Sequence, residues 1–448
     1  MLERRNTLAF YDIYPKIVPV GREVTFTVRS MDPHLMQDFP FRVKVRDLNG
    51  GGGSSPALYA DVPITPLAAP QHGFTFTVTL PREEEYQIYI DYDGKKRPRA
   101  VLSVYALEED LLCRKPLIGD FHGHTYYSDG KEGPAFVAAE YRKNGFDFVT
   151  VTDHRRRQPS LLAVEAFKDL DLPFKIYPGE EVHPHGIHMH VVNFASDRSA
   201  NLFALRESTL ETWVDTSPTP EWDTEIEAIK ATLTDLPEGV DPNEVASAMI
   251  VSRIIREGGG LSILAHPHWY WQAHNVPDVT TRYLFEKGVF DALELIGGLH
   301  WYENDSQIAY YEKLTAEGVK IPVVGSSDQH SVLPYPYPAE RLSYFTEEST
   351  LVFAKDNTRD AITDAVKELY STAVLKYAGQ FPRICGGSYR IKCYTNFLLR
   401  EYFPLREELY ATEGRLMHEY NAGTPGAREQ LLQTVAYHAY FEDKYFLR

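Results

Sequence analysis

The sequence predicts an α/β protein: a distorted, seven-stranded βα barrel of TIM-like form, preceded by an all-β, immunoglobulin-like sandwich and followed by a mixed, mainly helical extension. Three observations predict it. Residues 1 to 110 alternate apolar and polar side chains at period two. From 115 onward, short continuous apolar runs alternate with helical stretches. Histidines and acids gather where those runs end. With 448 residues the chain is also too long for one ordinary core, so two or three domains are expected.

The first domain, 1–110, carries five period-two segments: EVTFTVRS, FRVKVRDL, FTFTVTL, YQIYIDYD and RAVLSVYAL. Side chains alternate between faces along a strand, so this pattern buries one face and wets the other. Turn residues separate the segments, including NGGGGSSP at 49–56 and YDGKK at 92–96. Short strands with such spacing make a small sandwich of the immunoglobulin type. Nothing in it points to catalysis, and it reads as a packing or oligomerisation module.

The second domain, 115–380, repeats strand and helix. Its apolar runs are PLIGDFHGH, FDFVTVTDH, FKIYPGEEV, LSILAHPH, DALELIGG, IPVVGSSDQH and STLVFAK, with helical stretches such as PAFVAAEYRKNG and ASAMIVSRIIREGGG between them. Continuous apolar strands linked by helices argue for a parallel sheet covered on its faces. Seven of them argue for a barrel one unit short of the eight-stranded form. An extra strand, IHMHVVNF, follows the third run, and an acidic insert at about 197–243 precedes the fourth. That insert is long for a connection and reads as a lid or a solvated excursion. The glycines at 258–260 precede a strand, so they end a helix and do not cradle a phosphate. The extension, 381–448, shows helical spacing of apolar residues and reads as a dimer interface, making a homo-oligomer, or as a cap on the barrel.

Hydrophobic residues make up 43% of the chain and charged residues 24%, the composition of a soluble globular protein. The net charge of −17 repels the phosphates of long nucleic acid, which favours a small-molecule partner. Cys113, Cys385 and Cys393 form neither a disulfide framework nor a zinc knuckle and read as thiols in a reducing compartment. The start, MLERRNTLAFYDIYP, lacks the apolar core of a signal peptide, and no stretch approaches the roughly 20 apolar residues of a membrane span. The expected location is the cytoplasm, without membrane attachment.

The chemistry lies at the ends of the apolar runs. The first ends in His122 and His124, followed by Asp129; the second in Asp153 and His154; the third in Glu180, Glu181 and His183. The extra strand carries His188 and His190, the fourth run His266 and His268, and the sixth Asp328 and His330. In a parallel barrel these ends share one face, where active sites form. So many imidazoles and carboxylates are costly to desolvate together unless they share a compensating charge. Divalent cations provide it, and the donors outnumber what one ion uses, so two or three metals are expected. Mixed nitrogen and oxygen donors fit zinc, manganese or iron.

In this order, DFHGHTYYSDG, TDH, PGEE, HVVNF, AHP and SSDQH resemble the four motifs of the polymerase and histidinol phosphatase (PHP) superfamily, over residues 115 to 355. The resemblance implies a distorted seven-stranded barrel with two or three metals and, for most members, phosphoester hydrolysis. It implies that His122 and His124 hold one metal with Glu181 and Asp328. Asp129, His154 and His330 hold a second. Glu181 bridges to a third, completed by His190 and His266, with His188 as the alternative to His190. Arg155 stands where the family often has Asn, which bears on the substrate pocket.

The expected activity is that of a metal-dependent hydrolase. A water bridging two cations ionises near neutral pH and attacks phosphorus, while the cations stabilise the growing charge. Glu181 and Asp328 support that centre. His268, with His183 and His185, is a candidate to protonate the leaving group or to orient a ligand. Arg155, Arg156 and Arg157 are candidates to clamp a phosphate, with at least one expected in the mouth. Trp269, Tyr270 and Trp271 either stack on a sugar or base or pack. The leading reading is a phosphoesterase acting on a small phosphorylated molecule. The alternative is an amide, carbamate or ester hydrolase using the same centre, as in the branch resembling carbaryl hydrolases; an apolar mouth would favour it.

Overall fold

The computed structural model describes residues 10–32, 41–49, 61–68, 72–92, 100–184, 187–205, 217–270, 272–333, 345–377 and 380–448. The chain is mixed α/β and divides into two compact units. One comprises 1–114, 393–409 and 433–448; the other comprises 115–392 and 410–432. The segment from 381 onward is therefore divided between them. No helix among the described residues is long and apolar enough to cross a membrane.

The first unit contains β1 (Tyr11–Tyr14), β2 (Ile17–Pro19), β3 (Glu23–Ser30), β4 (Phe41–Asp47), β5 (Ile64–Pro66), β6 (Gly73–Thr79), β7 (Glu84–Tyr92) and β8 (Ala100–Leu107). They form two four-stranded sheets, β1-β3-β6-β5 and β2-β8-β7-β4, antiparallel except for β2 with β8. The five expected strands are all present. β1, β2 and β5, at three or four residues, are too short to show a period. The apolar positions of the pattern meet in one core, Phe26, Phe74 and Phe76 from one sheet and Val43, Val45 and Ile88 from the other. Beyond Asn49 and Tyr92, the two expected turns lie outside the described residues. Tyr394 and Phe397, from the helix Tyr389–Glu401, pack on Tyr105 with ring centroids 5.2 and 5.3 Å away.

The second unit contains β9 (Lys115–Asp120), β10 (Phe148–Thr150), β11 (Lys175–Tyr177), β12 (Gly179–Val182), β13 (His190–Phe194), β14 (Leu261–Ala265), β15 (Ala292–Ile296), β16 (Val323–Gly325), β17 (Glu348–Ala354), β18 (Ser371–Leu375) and β19 (Arg383–Cys385). They make a six-stranded sheet, β11-β10-β9-β17-β18-β19, and a five-stranded sheet, β12-β13-β14-β15-β16.

Parallel pairing holds within β9-β10-β11 and within β14-β15-β16. It fails elsewhere. The run FKIYPGEEV is two strands, β11 and β12, in different sheets. β13 is antiparallel to both neighbours; the short loop after β12 cannot make the crossover that parallel pairing with β12 would need. β17 runs antiparallel to β9 and β18.

Beyond the named strands, backbone bonds continue the pairing. Gly123 bridges Gln329, and Thr152 N–H donates to Gly123 O at 2.8 Å. His154 bridges Glu181. The ends of β16, β9, β10 and β12 are thereby stitched in turn, and β12 to β16 complete the circuit through their own sheet. Gly119 allows β9 and β10 to pair: a Cβ there would lie 1.9 Å from the Phe148 ring across the ladder.

Helices cover the strands where the sequence expects them. Pro242–Glu257 shows the local causes: Asp241 caps it by accepting from Asn243 N at 2.8 Å, Pro242 opens it, and Gly259 turns out of it at φ +74°. The insert holds a helix too, Pro220–Lys230, capped by Thr219. Its Trp222 and Ile226 are buried in the same core as Val245 and Ile250, so this part is packed rather than a solvated excursion. Residues 206–216 of the insert lie outside the described residues. In the tail, Arg142 donates to Glu413 Oε2 at 2.7 Å and lies 3.6 Å over the Tyr410 ring, which fastens 410–432 to the helix Pro134–Lys143.

Candidate metal centre

His122 and His124 lie just past the end of β9, on extended chain held to the end of β16 by His124 N–H donating to Gln329 O at 2.9 Å. Two residues apart on extended chain, their rings share one side, with centroids 5.1 Å apart. Asp153 shapes the loop that follows: it accepts from Thr125 N and Oγ1 and from Ser128 N and Oγ at 2.7–3.0 Å. That loop delivers Asp129.

Glu181 is the centre of the cluster and is fully buried. Its Oε2 lies 2.5 Å from His154 Nδ1, 3.3 Å from His183 Nε2, 3.4 Å from His122 Nε2 and 3.6 Å from His124 Nε2. Its Oε1 lies 2.9 Å from His190 Nδ1 and 3.3 Å from His266 Nε2. Asp328 Oδ1 stands 2.8 Å from His124 Nε2 and 3.4 Å from His122 Nε2. Asp129 Oδ1 stands 3.3 Å from His154 Nε2 and 3.2 Å from His330 Nε2. All nine residues to which the sequence assigns metals are thus brought together. The groups overlap: His124 also stands with Asp129, His154 and His330.

Hydrogen bonding does not account for this crowding. His122 Nε2, His190 Nδ1 and Glu181 Oε2 are buried and have no hydrogen-bond partner, despite neighbours within 3.6 Å. Donors left so close and unpaired are costly unless a cation lies among them. The residues present fit divalent metal ions.

The proton distribution carries the same strain. Burial, with the imidazoles of His154 and His330, holds His124 down to about 3. Burial opposes a charge on His154 as well, yet Glu181 and Asp129 push it up to about 10. Glu181 stays far below the usual carboxylate range: burial works against its charge, and His154, His183, His122 and His190 outweigh that. Three residues here, Arg155, His266 and Asp328, hold positive φ, and such strain collects at functional sites.

Supporting contacts fix the ligands. Glu294 Oε2 lies 2.9 Å from His122 Nδ1, which leaves Nε2 to face the cluster, and Glu294 Oε1 accepts from His266 N at 3.2 Å. Sequence reasoning passed over Glu294; its signal is an acid inside the apolar run DALELIGG. Asp120, buried and pushed up to about 7 by burial, accepts from Tyr141 Oη, Ser327 N and His122 N. Glu180 faces away from Glu181 and accepts from Asn193, Ser199 and Ala200.

The remaining candidates separate. His190 enters the cluster while His188 is exposed. His183 also enters it. His268 does not: its Nδ1 is 3.0 Å from Ser306 Oγ and its Nε2 3.0 Å from Asp278 Oδ1. Arg155 is half-buried, feels Glu181 and has a buried Nε without a hydrogen bond; Arg157 Nε is likewise unpartnered, but its Nη2 donates to Ser196 O at 2.7 Å. Trp269 packs near His190 and His266, with centroids 6.0 and 6.1 Å away, and Tyr270 is exposed. His185 and Trp271 lie outside the described residues.

No protein-family model and no curated protein sequence matches the chain. Solved structures do. One is a two-domain protein containing a predicted PHP-like metal-dependent phosphoesterase from Bacteroides vulgatus ATCC 8482, at 18% identity and TM-score 0.37, covering 59% of this chain and 66% of that one. Another, from Bifidobacterium adolescentis ATCC 15703 and provisionally named a metal-dependent phosphoesterase, matches at 16% identity and TM-score 0.33, covering 51% and 91%. A third is an amidohydrolase from Chromobacterium violaceum with bound sulfate and no metal, at 15% identity and TM-score 0.30, covering 50% and 89%. At such identities and TM-scores these likenesses do not decide the reaction.

Proposed function

We propose that this chain is a metal-dependent hydrolase of the PHP type, acting on a small phosphorylated substrate at the cluster around Glu181. The observation that carries the reading is that cluster: one buried carboxylate reached by six imidazoles, with His122 Nε2, His190 Nδ1 and Glu181 Oε2 left without a hydrogen bond. We read the closed circuit of strand ends as a distorted seven-stranded barrel and the two four-stranded sheets as an immunoglobulin-like sandwich. Two or three zinc, manganese or iron ions would be held by His122, His124, Glu181 and Asp328, by Asp129, His154 and His330, and by Glu181, His190 and His266. Ions there supply Lewis acidity, ionising water near neutral pH and neutralising charge on an ester's oxygens.

The chain's own groups supply the rest. Arg155, beside Glu181 with its Nε unpartnered, is placed to bind a substrate phosphate. Glu181 and Asp328 hold negative charge under the reacting group. Glu294 fixes the ring of His122. No serine or cysteine nucleophile is needed. His268, engaged by Ser306 and Asp278, has no part in this scheme.

The second reading, hydrolysis of an amide, carbamate or ester, is favoured by aromatic residues on loops that follow the ligand-bearing strands. Tyr126, after β9, and Tyr270, after β14, are exposed there, and Trp269 lies 6.1 Å from His266. A paired assay on protein of known metal content separates the two. One arm offers phosphomonoesters and phosphodiesters, the other aryl esters, amides and carbamates. Phosphate release that a chelator abolishes, with a raised KM in Arg155→Gln, supports the first reading. Cleavage in the carbonyl arm alone moves the assignment to the second. Inactivity of the metal-loaded protein in both arms overturns both.

A further inference from the structure

We propose that His268, His274 and Asp278 form a second, separate cation site that takes a zinc-class divalent ion and pins the loop 266–278. The site does not depend on the reaction assigned to the Glu181 cluster. His268 Nε2 lies 3.0 Å from Asp278 Oδ1, and His274 Nδ1 lies 3.9 Å from the same oxygen. The three donor atoms fall within 4.8 Å of one another. A tetrahedral ion with bonds of about 2.1 Å wants its ligands about 3.4 Å apart, between those two separations. Two imidazoles and one carboxylate leave a fourth position, on the exposed side, for water.

The surroundings prepare the site. His268 is 2% exposed, and Ser306 Oγ, 3.0 Å from its Nδ1, anchors the ring with Nε2 outward. Gln307 Oε1 accepts from His268 N at 3.1 Å, so two residues of the helix Trp301–Ala316 hold this ligand. The loop folds back on itself: Asn275 N–H donates to Trp269 O and Val276 N–H to Pro267 O, each at 2.9 Å. This lays the His274 ring over His268, with centroids 4.2 Å apart. The rings are nearly parallel, so His274 must swing about its Cβ–Cγ bond to share the ion, which its 40% exposure permits. Asp278 opens the helix Asp278–Glu286, and its carbonyl accepts from Tyr310 Oη.

Trp269, on the same loop, lies against His190 and His266. An ion at the base of this loop would hold one wall of the Glu181 cluster. The site is therefore structural, and His268 is a ligand here rather than an acid in the reaction.

The test uses the full chain, stripped with chelator and titrated with cobalt(II), which reports both the number of ions bound and their visible absorption. His274→Ala and Asp278→Asn, both at exposed positions, are each expected to bind one ion fewer than the parent and to keep the rest. His122→Ala with His124→Ala is expected to lose cluster ions yet keep an absorption that disappears when His274→Ala is added. Failure of the Glu181 reading shows only in the His122 and His124 variant, and failure of this one only in the other two. An unchanged ion count in both His274→Ala and Asp278→Asn overturns the proposal.

Discussion

Glu180 and Glu181 are adjacent and do unrelated work. On an extended chain they point to opposite faces, so one meets imidazoles and the other meets Asn193, Ser199 and Ala200. His188, two residues before His190 and outside β13, is exposed, so alternation along a strand does not govern it. At this scale Glu294 offers the sharpest prediction. It touches His122 Nδ1 and none of the atoms expected to hold metal directly. Glu294→Gln should fold normally and bind metal roughly 10- to 100-fold more weakly, as losses of such supporting contacts do. Competition with a calibrated chelator measures this, and unchanged affinity would remove Glu294 from the centre.

At the scale of elements, strands and helices follow their local signals closely. Period two marks the five long strands of the first unit, and apolar runs mark β9, β10, β14, β15 and β16, with acids or histidines following all but β15. Pairing direction was less legible, because it depends on the length and path of the connection. Glu180 ties one element to the next: its carboxylate takes the N–H of Ala200 at 2.6 Å, just before the short helix Asn201–Ala204. Glu180→Ala leaves those buried donors unpaired and should destabilise the fold by about 1–3 kcal/mol. Thermal unfolding of the metal-free chain should show a lower Tm, with metal binding retained at lower temperature. An unchanged Tm would show that water satisfies those donors.

At the scale of the molecule, the tail matters most. Residues 393–409 and 433–448 belong to the first unit, so that unit is completed by residues nearly 300 positions beyond its sheets. Tyr394 and Phe397 rest on Tyr105, and Lys16 lies 3.8 Å from Glu401, both of them buried. Removing residues 1–114 uncovers those aromatics, each worth about 1.5–3 kcal/mol of burial, and leaves Glu401 without Lys16. The shortened chain should be poorly soluble or aggregated on size exclusion. A soluble, monomeric product that binds metal as the parent does would show that the tail does not need the first sheets.

The sequence by itself determined the two kinds of architecture, the strand ends and the residue types gathered there, because periodicity and run length are local properties of a chain. It also carried the order of motifs that resembles a PHP hydrolase. Only the tertiary structure decided which of two neighbouring acids faces the cluster, that His268 turns to Asp278, and that Glu294 supports His122 from 172 residues away. Those outcomes depend on which strands lie side by side and in which direction, and that is settled by packing between segments far apart in the chain.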